Sequence, residues 1–244
     1  EAICELPEYY LTRAEAEILS TSASDIVDEV GAPVELVELG SGSATKTRFV
    51  IEAILARQDT LHYRPIDISR AALDDSAGAL GADFPRLTID GIEGEYAEGI
   101  RRLRGEAETA RLILFLGSNI GNMSPDEAVD FLSAIRANVS ARDAMLIGMD
   151  LRKDAGVLER AYDDSQGITA AFNMNVLERV NRELRGDFDL GEFRHAARYD
   201  DVEGRVEMHL VSCKAQTAQV AVLGLEVEFA EGETIHTENS YKYG

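Results

Sequence analysis

Cysteine is scarce: Cys4 and Cys213 are the only two in 244 residues. Two cysteines cannot build a disulfide framework, and neither stands in a paired metal-ligand spacing, so both read as reduced and structural. Long apolar runs are missing as well. No segment approaches the roughly 18 residues that cross a bilayer, and Glu1-Ala-Ile-Cys-Glu5 lacks the basic-then-apolar order of a signal peptide. The expectation is a soluble, cytoplasmic protein with no membrane partner. Positive charge is short too, 24 Lys and Arg against 45 Asp and Glu, for a net charge of −21. That self-repulsion argues against neutralising a phosphate backbone, so no nucleic-acid partner is expected. His62, His195, His209 and His236 have no spacing suited to zinc. Surface or packing roles are expected for all four, and no metal site.

What is present is a large α/β pattern. The length exceeds one typical domain of about 150 residues and falls short of two, and 45 % hydrophobic composition allows a sizeable core. Val34–Leu39, Leu61–Ile66, Leu87–Ile89, Arg111–Leu116 and Ala144–Met149 are short apolar runs separated by helix-length stretches, which reads as βαβ units feeding a parallel sheet. Ser69 marks one helix start, and Ser124-Pro125 another with an N-cap and a first-turn proline. Thr12 with Glu15 fits a capping box on an N-terminal helix. After Asp150 the pattern changes. Apolar positions from Asp154 to Leu184 predict two helices broken near Ser165-Gln-Gly167, and Phe193 to Ile235 alternates as an antiparallel sheet, including Val206–Val211 and Val220–Val227. Residues 1–152 are therefore assigned to a first domain with an N-terminal helix, and 153–244 to an α+β lobe suited to covering a substrate.

The sharpest local signal is Glu38-Leu-Gly40-Ser-Gly42-Ser-Ala-Thr45-Lys46-Thr47, directly after the first strand and opening a helix. Glycines there permit a tight turn and close backbone approach to a ligand at the helix N-terminus. A P-loop requires a second glycine where Thr45 stands, and a dinucleotide loop lacks its last glycine at the same residue. S-adenosylmethionine needs only the first part of the pattern, because it has no pyrophosphate. Asp67, at the end of the second strand, is placed to accept from ribose hydroxyls, and Glu38 to support either the methionine ammonium or the loop. A plain strand-to-helix turn explains the glycines alone; Glu38, Gly40, Gly42 and Asp67 together favour a methyltransferase. An acidic cleft also attracts a sulfonium cation, although solubility accounts for most acidic surface.

Leu6–Glu15, Glu38–Ser43 with Lys46-Thr-Arg48, Phe115–Asn122, Ala161–Asp164 and Thr237–Ser240 occur in an ordered set running essentially from Glu1 to Lys242. This set resembles the histidine-specific Nα-methyltransferases of ergothioneine biosynthesis, which trimethylate the α-amino group of free L-histidine to hercynine. The resemblance implies a Rossmann-like methyltransferase sheet with an inserted or appended α+β substrate-binding lobe. It implies S-adenosylmethionine contacts at Gly40, Lys46 and Asp67. Glu95 and Tyr96 stand where the family places an aspartate and a phenylalanine beside the adenine. For the substrate it implies Asn122 and Tyr162 on the carboxylate, Tyr10, Glu238 and Ser240 on the imidazole, and Met208 lining the ring pocket. Gly117 and Asn119 leave room near the amine.

Taken singly, Tyr10 also reads as a helix staple, Met208 as core, and Asn122 as a turn former. No residue is expected to be essential as acid or base, because the sulfonium is already an excellent leaving group. Relatives begin before Glu1 and extend past Gly244, so the chain is expected to be truncated before the terminal strands of the sheet. A monomer is favoured. Three other readings stay open: an N-methyltransferase of another amino acid, a non-catalytic module binding cofactor or amino acid, and a P-loop nucleotide-binding protein, which ATP would stabilise.

Overall fold

The computed structural model describes residues 2–31, 33–103 and 109–244. It divides into two compact units, Leu11–Met149 and Glu1–Tyr10 with Asp150–Gly244. The first ten residues thus pack with the C-terminal unit, where the sequence reading had left them with the first.

The Leu11–Met149 unit holds a parallel sheet. Its strands are β1 (Val34–Leu39), β2 (Leu61–Asp67), β3 (Leu87–Ile89), β4 (Ile92–Glu93), β5 (Ala110–Phe115) and β6 (Ala144–Ile147), in the order β3-β2-β1-β5-β6 with β4 also beside β2. All six run parallel. Helices α1 (Leu11–Val30), α2 (Thr47–Leu55), α3 (Arg70–Asp83), α4 (Tyr96–Arg102) and α5 (Pro125–Arg136) accompany them. The strand order is the Rossmann-like one expected, and it reverses at β1, which pairs with β2 on one side and β5 on the other. Ligands of such sheets bind beyond the carboxyl ends of the strands at that reversal. Strands buried on both faces read as near-continuous apolar runs. Leu36, Val37, Leu39, Leu112, Ile113 and Leu114 accordingly have almost no exposed surface, and α1 and α2 add Leu19, Val27, Val50, Ile51 and Ile54 to this core.

Two expected helix starts are present. Ser69 accepts from the Ala72 N–H at 3.2 Å. Ser124 and Glu127 form a full capping box ahead of Pro125, which satisfies two of the N–H groups a helix start leaves unpaired. The capping box expected from Thr12 and Glu15 does not form. Helix α1 already begins at Leu11, and the Glu15 carboxylate is drawn to the Lys46 ammonium and the Gly117 N–H instead.

The other unit contains α6 (Ala155–Tyr162) and α7 (Ile168–Leu184), then β7 (Phe193–Asp200), β8 (Arg205–Ser212), β9 (Gln216–Val220), β10 (Leu225–Phe229) and β11 (Thr234–Tyr241). The break between the helices falls where expected. Gly167 is left-handed at φ 72°, and Asp164 accepts from the backbone N–H groups of Gln166, Ile168 and Thr169, which starts α7. The strands are antiparallel but make two sheets, β11-β8-β7 and the hairpin β9-β10. The run Val220–Val227 is therefore not one strand. A 3-10 turn at Ala221–Leu223 and Gly224 at φ 59° reverse the chain, leaving Val222 and Leu223 exposed. Leu177, Phe188, Phe193, Leu210, Ala218, Val220 and Phe229 form this unit's own core.

Candidate active site

The residues singled out from the sequence fall into two sets, one in each unit. In Leu11–Met149 the loop after β1 carries Gly40 at φ 75° and Gly42 at φ 48°, conformations that glycine adopts without the Cβ penalty. The Gly40 N–H donates to the Ile66 carbonyl at 2.8 Å, and a Cβ on Gly40 would lie 2.6 Å from the Tyr96 hydroxyl. The Tyr96 ring is set edge-on to Phe115 and tilted against Phe131. Asp67 closes β2 and braces the same loop: its carboxylate accepts from the Gly42 N–H at 3.3 Å and from the Ser69 N–H at 2.9 Å. Glu95 is exposed at the N-cap of α4.

Glu38 is buried at 3 % exposure, with both oxygens accepting from Thr47 Oγ1 at 2.7 and 2.9 Å and one also from the Tyr63 hydroxyl. These bonds tie β1, β2 and α2 together beneath the loop. Burial pushes the Glu38 carboxyl up to about 7, against Tyr63, Thr47 and Lys46, which favour the charged form. A carboxyl whose folded value exceeds its unfolded one holds more protons folded than unfolded, so its contribution is full below about pH 4.5 and falls as pH rises to 7. Glu38→Gln is free of that loss. Urea unfolding from pH 4.5 to 8 is expected to move the stability difference toward the variant by about 3 kcal/mol; a pH-independent difference would contradict the assignment.

At the end of β5, Gly117 (φ 77°) and Ser118 (φ 58°) are consecutive left-handed residues leading into the 3-10 turn Asn119–Asn122. The Gly117 N–H donates to the Glu15 carboxylate at 2.8 and 2.9 Å, and that carboxylate is also ion-paired with Lys46. Lys46, expected to contact the cofactor, and the Gly117 N–H thus converge on one carboxylate. Asn122 is exposed at the end of the turn. Two left-handed glycines and an acid closing β2 at the reversal of the sheet fit an adenosyl amino acid, whose carboxylate Lys46 and the Gly117 N–H, here on Glu15, are able to meet.

In the other unit, the Tyr10 hydroxyl donates to Asp150 Oδ2 at 2.6 Å and accepts from Lys153 Nζ at 2.7 Å. Tyr162, Ser240 and Lys242 are buried together. Tyr162 and Ser240 share a hydrogen bond of 2.7 Å, and Lys242 Nζ donates to each hydroxyl oxygen at 2.9 Å and meets Asp150 Oδ2 at 3.0 Å. Burial, then the Asp150 carboxylate, raise the Tyr10 phenol far above its ordinary range, and burial does the same to Tyr162. Both remain O–H donors at any working pH. Glu238 sits opposite Met208 across β11 and β8, half-buried; burial raises its carboxyl and the Lys242 charge opposes that. Met208 is buried at 4 %. His195 braces Tyr162 from behind, with Nε2 2.8 Å from its carbonyl and Nδ1 2.9 Å from the Asn173 amide.

Asp150, Lys153 and Lys242 were not anticipated. The available signals were an acid closing an apolar strand run at Asp150 and a lone lysine between Tyr241 and Tyr243. Folding also gathers Glu207, His209 and His236, which their spacing did not foretell. Arg198 and Arg205 already pair with the Glu207 carboxylate, and with His209 they lower its carboxyl to about 2. Its burial is thereby explained without a cation.

A family model described as histidine-specific methyltransferase, SAM-dependent, matches residues 1–244. The chain is 44 % identical over 243 residues to the histidine N-alpha-methyltransferase of Mycolicibacterium smegmatis, covering 100 % of this chain and 75 % of that protein. It is 41 % identical over 244 residues to the histidine N-alpha-methyltransferase of Mycobacterium tuberculosis, with the same coverage. Identity to the L-tryptophan methyltransferase trpM of Psilocybe serbica is 31 % over 261 residues, covering 96 % of this chain and 72 % of that protein.

Proposed function

Since the chain belongs to the SAM-dependent histidine-specific methyltransferases, we propose that its sites serve Nα-methylation of free L-histidine, carried through three transfers to hercynine. The observation that carries the substrate is the 44 % identity along the whole chain to a histidine N-alpha-methyltransferase. S-adenosylmethionine, when bound, supplies an electrophilic methyl group on a sulfonium that leaves without assistance. Gly40 and Gly42 admit its close approach, Asp67 accepts from ribose hydroxyls, Lys46 addresses its carboxylate, and Glu95 and Tyr96 flank the adenine. Glu38 holds the loop that carries these glycines, through Thr47 and Tyr63.

Tyr162 is assigned to the histidine carboxylate as a neutral donor, and Asn122, in the other unit, carries the same assignment. Glu238 and Ser240 address the ring nitrogens, with Tyr10 bordering them and Met208 as the apolar wall. Gly117 and Asn119 leave space for an amine that grows by successive methyl groups. The work of these residues is orientation and exclusion of water, since displacement requires a neutral amine lone pair in line with the methyl carbon. The phenols are raised too far to act as bases, and the amine proton leaves to water.

The test is mass spectrometry of histidine incubated with S-adenosylmethionine and this protein, expected to give products with one, two and three added methyl groups. Thermal stabilisation by S-adenosylhomocysteine with no methylated histidine would instead support another amine substrate or a binding role. The likeness to a tryptophan methyltransferase favours trying tryptophan in parallel. A carboxylate at Glu238 disfavours it, since an indole places an apolar edge where the imidazole presents N–H groups.

A further inference from the structure

Lys242 belongs to no assignment made above, yet its side chain is fully buried and its three N–H donors meet three acceptors, Tyr162, Ser240 and Asp150. Isolated buried ammonium groups are costly, and burial lowers the lysine while Asp150 opposes that. An interior lysine that spends two of its three bonds on hydroxyls has little to gain in stability over an apolar side chain. The consequence lies in the hydroxyls. We infer that Lys242 is a positioning residue: by filling one lone pair on each hydroxyl it lets a carboxylate at Tyr162 fix the direction of the Tyr162–Ser240 hydrogen bond, so that the site demands a ring N–H donor at Ser240. This rests on the reading that Tyr162 grips the substrate carboxylate and Ser240 the imidazole.

Two hydroxyls carry two protons and four acceptor positions. Lys242 occupies one position on each oxygen, and by holding both at 2.9 Å it keeps them 2.7 Å apart. Oxygens that close repel unless a proton lies between them, so the mutual bond uses one proton and one further position. One proton and one lone pair remain for the ligand, on opposite oxygens. A carboxylate at Tyr162 requires the proton there. Ser240 must then donate to Tyr162, and it shows the ligand only a lone pair, which a ring N–H fills; with Glu238 accepting at the other nitrogen, the ring is bound as imidazolium. The ammonium also polarises the Tyr162 hydroxyl and strengthens its donation. Without Lys242 the serine is free to rotate and donate to a ring nitrogen lacking hydrogen.

The experiment compares histidine with 3-(thiazol-4-yl)alanine, a ring of similar shape with no N–H, in wild type, Lys242→Met and Tyr162→Phe. In Lys242→Met the KM for histidine is expected to rise about 30-fold with kcat within about threefold. The preference of kcat/KM for histidine over the thiazole should shrink about tenfold, as loss of one demanded hydrogen bond implies. Affinity for S-adenosylhomocysteine, by calorimetry, stays within about twofold, a separation that a merely structural role would not produce. Tyr162→Phe frees the serine proton with Lys242 in place, so its preference shrinks too, which tests the polarity of the pair; Lys242→Gln, which cannot serve all three acceptors, decides the part of Lys242 should Lys242→Met not fold. An unchanged preference in any folded variant overturns the inference, as does parallel loss of both ligand affinities. A wild type that binds S-adenosylhomocysteine and methylates no histidine overturns the underlying reading as well, and is seen in its own arm.

Discussion

Replacing Glu238 with alanine is expected to lower kcat/KM for histidine by about 1,000-fold while the affinity for S-adenosylhomocysteine changes less than about twofold. Glu238 lies on β11 beside a buried methionine, so a ring seated there is largely removed from water. Its N–H would then lose its acceptor with no solvent to replace it. An unmade buried hydrogen bond costs about 1–3 kcal/mol, and more when one partner is charged; the thousandfold loss corresponds to about 4 kcal/mol. Glu238→Gln keeps an acceptor but not the charge, and about a tenfold loss is expected from it. Steady-state kinetics with histidine and calorimetry with S-adenosylhomocysteine separate the outcomes. Equal damage to both ligands would move Glu238 out of the substrate site and into the support of the fold. The alanine variant should also discriminate less against amino acids with apolar rings, because the unpaired carboxylate that rejects them is gone.

The features legible in the sequence are those whose causes act over a few residues. Ser69 and Ser124 cap helices because a hydroxyl reaches an N–H three residues on. The apolar run Leu112–Phe115 of β5 is what a strand covered on both faces requires. Gly40 and Gly42 announced a turn whose left-handed backbone the structure bears out. Glu15 shows where this reasoning ends. Its spacing from Thr12 satisfied a local rule, but a fold that brings Gly117 and Lys46 to the same carboxylate outweighs one capping bond. Asp150 is similar, since its partners Tyr10 and Lys242 lie far from it in sequence on both sides. Nothing local to Tyr10 says that the first ten residues pack with the C-terminal unit. Nor does alternation alone separate a strand from a hairpin at Val220–Val227, where Gly224 turns the chain.

Gly40→Ala is expected to weaken S-adenosylhomocysteine binding by at least about 30-fold, against about fivefold for Gly42→Ala. Both positions are left-handed, at φ 75° and 48°, so either alanine meets the same backbone strain of about 1–2 kcal/mol. Their surroundings differ. Nothing lies within 4 Å of a Cβ on Gly42, whereas a Cβ on Gly40 would approach the Tyr96 hydroxyl to 2.6 Å. That hydroxyl ends a ring wedged by Phe115 and Phe131, so it cannot swing aside without disturbing both aromatic contacts. The loop must yield instead, and it also carries the N–H that Asp67 holds. The double variant Gly40→Ala with Tyr96→Phe removes the hydroxyl, leaving the backbone strain alone, and should recover affinity toward that of Gly42→Ala. Calorimetry on the wild type, Gly40→Ala, Tyr96→Phe and the double variant closes a double-mutant cycle. A coupling near zero, with both glycine variants equally weak, would mean that backbone conformation alone makes Gly40 necessary and that Tyr96 has no part in shaping the loop.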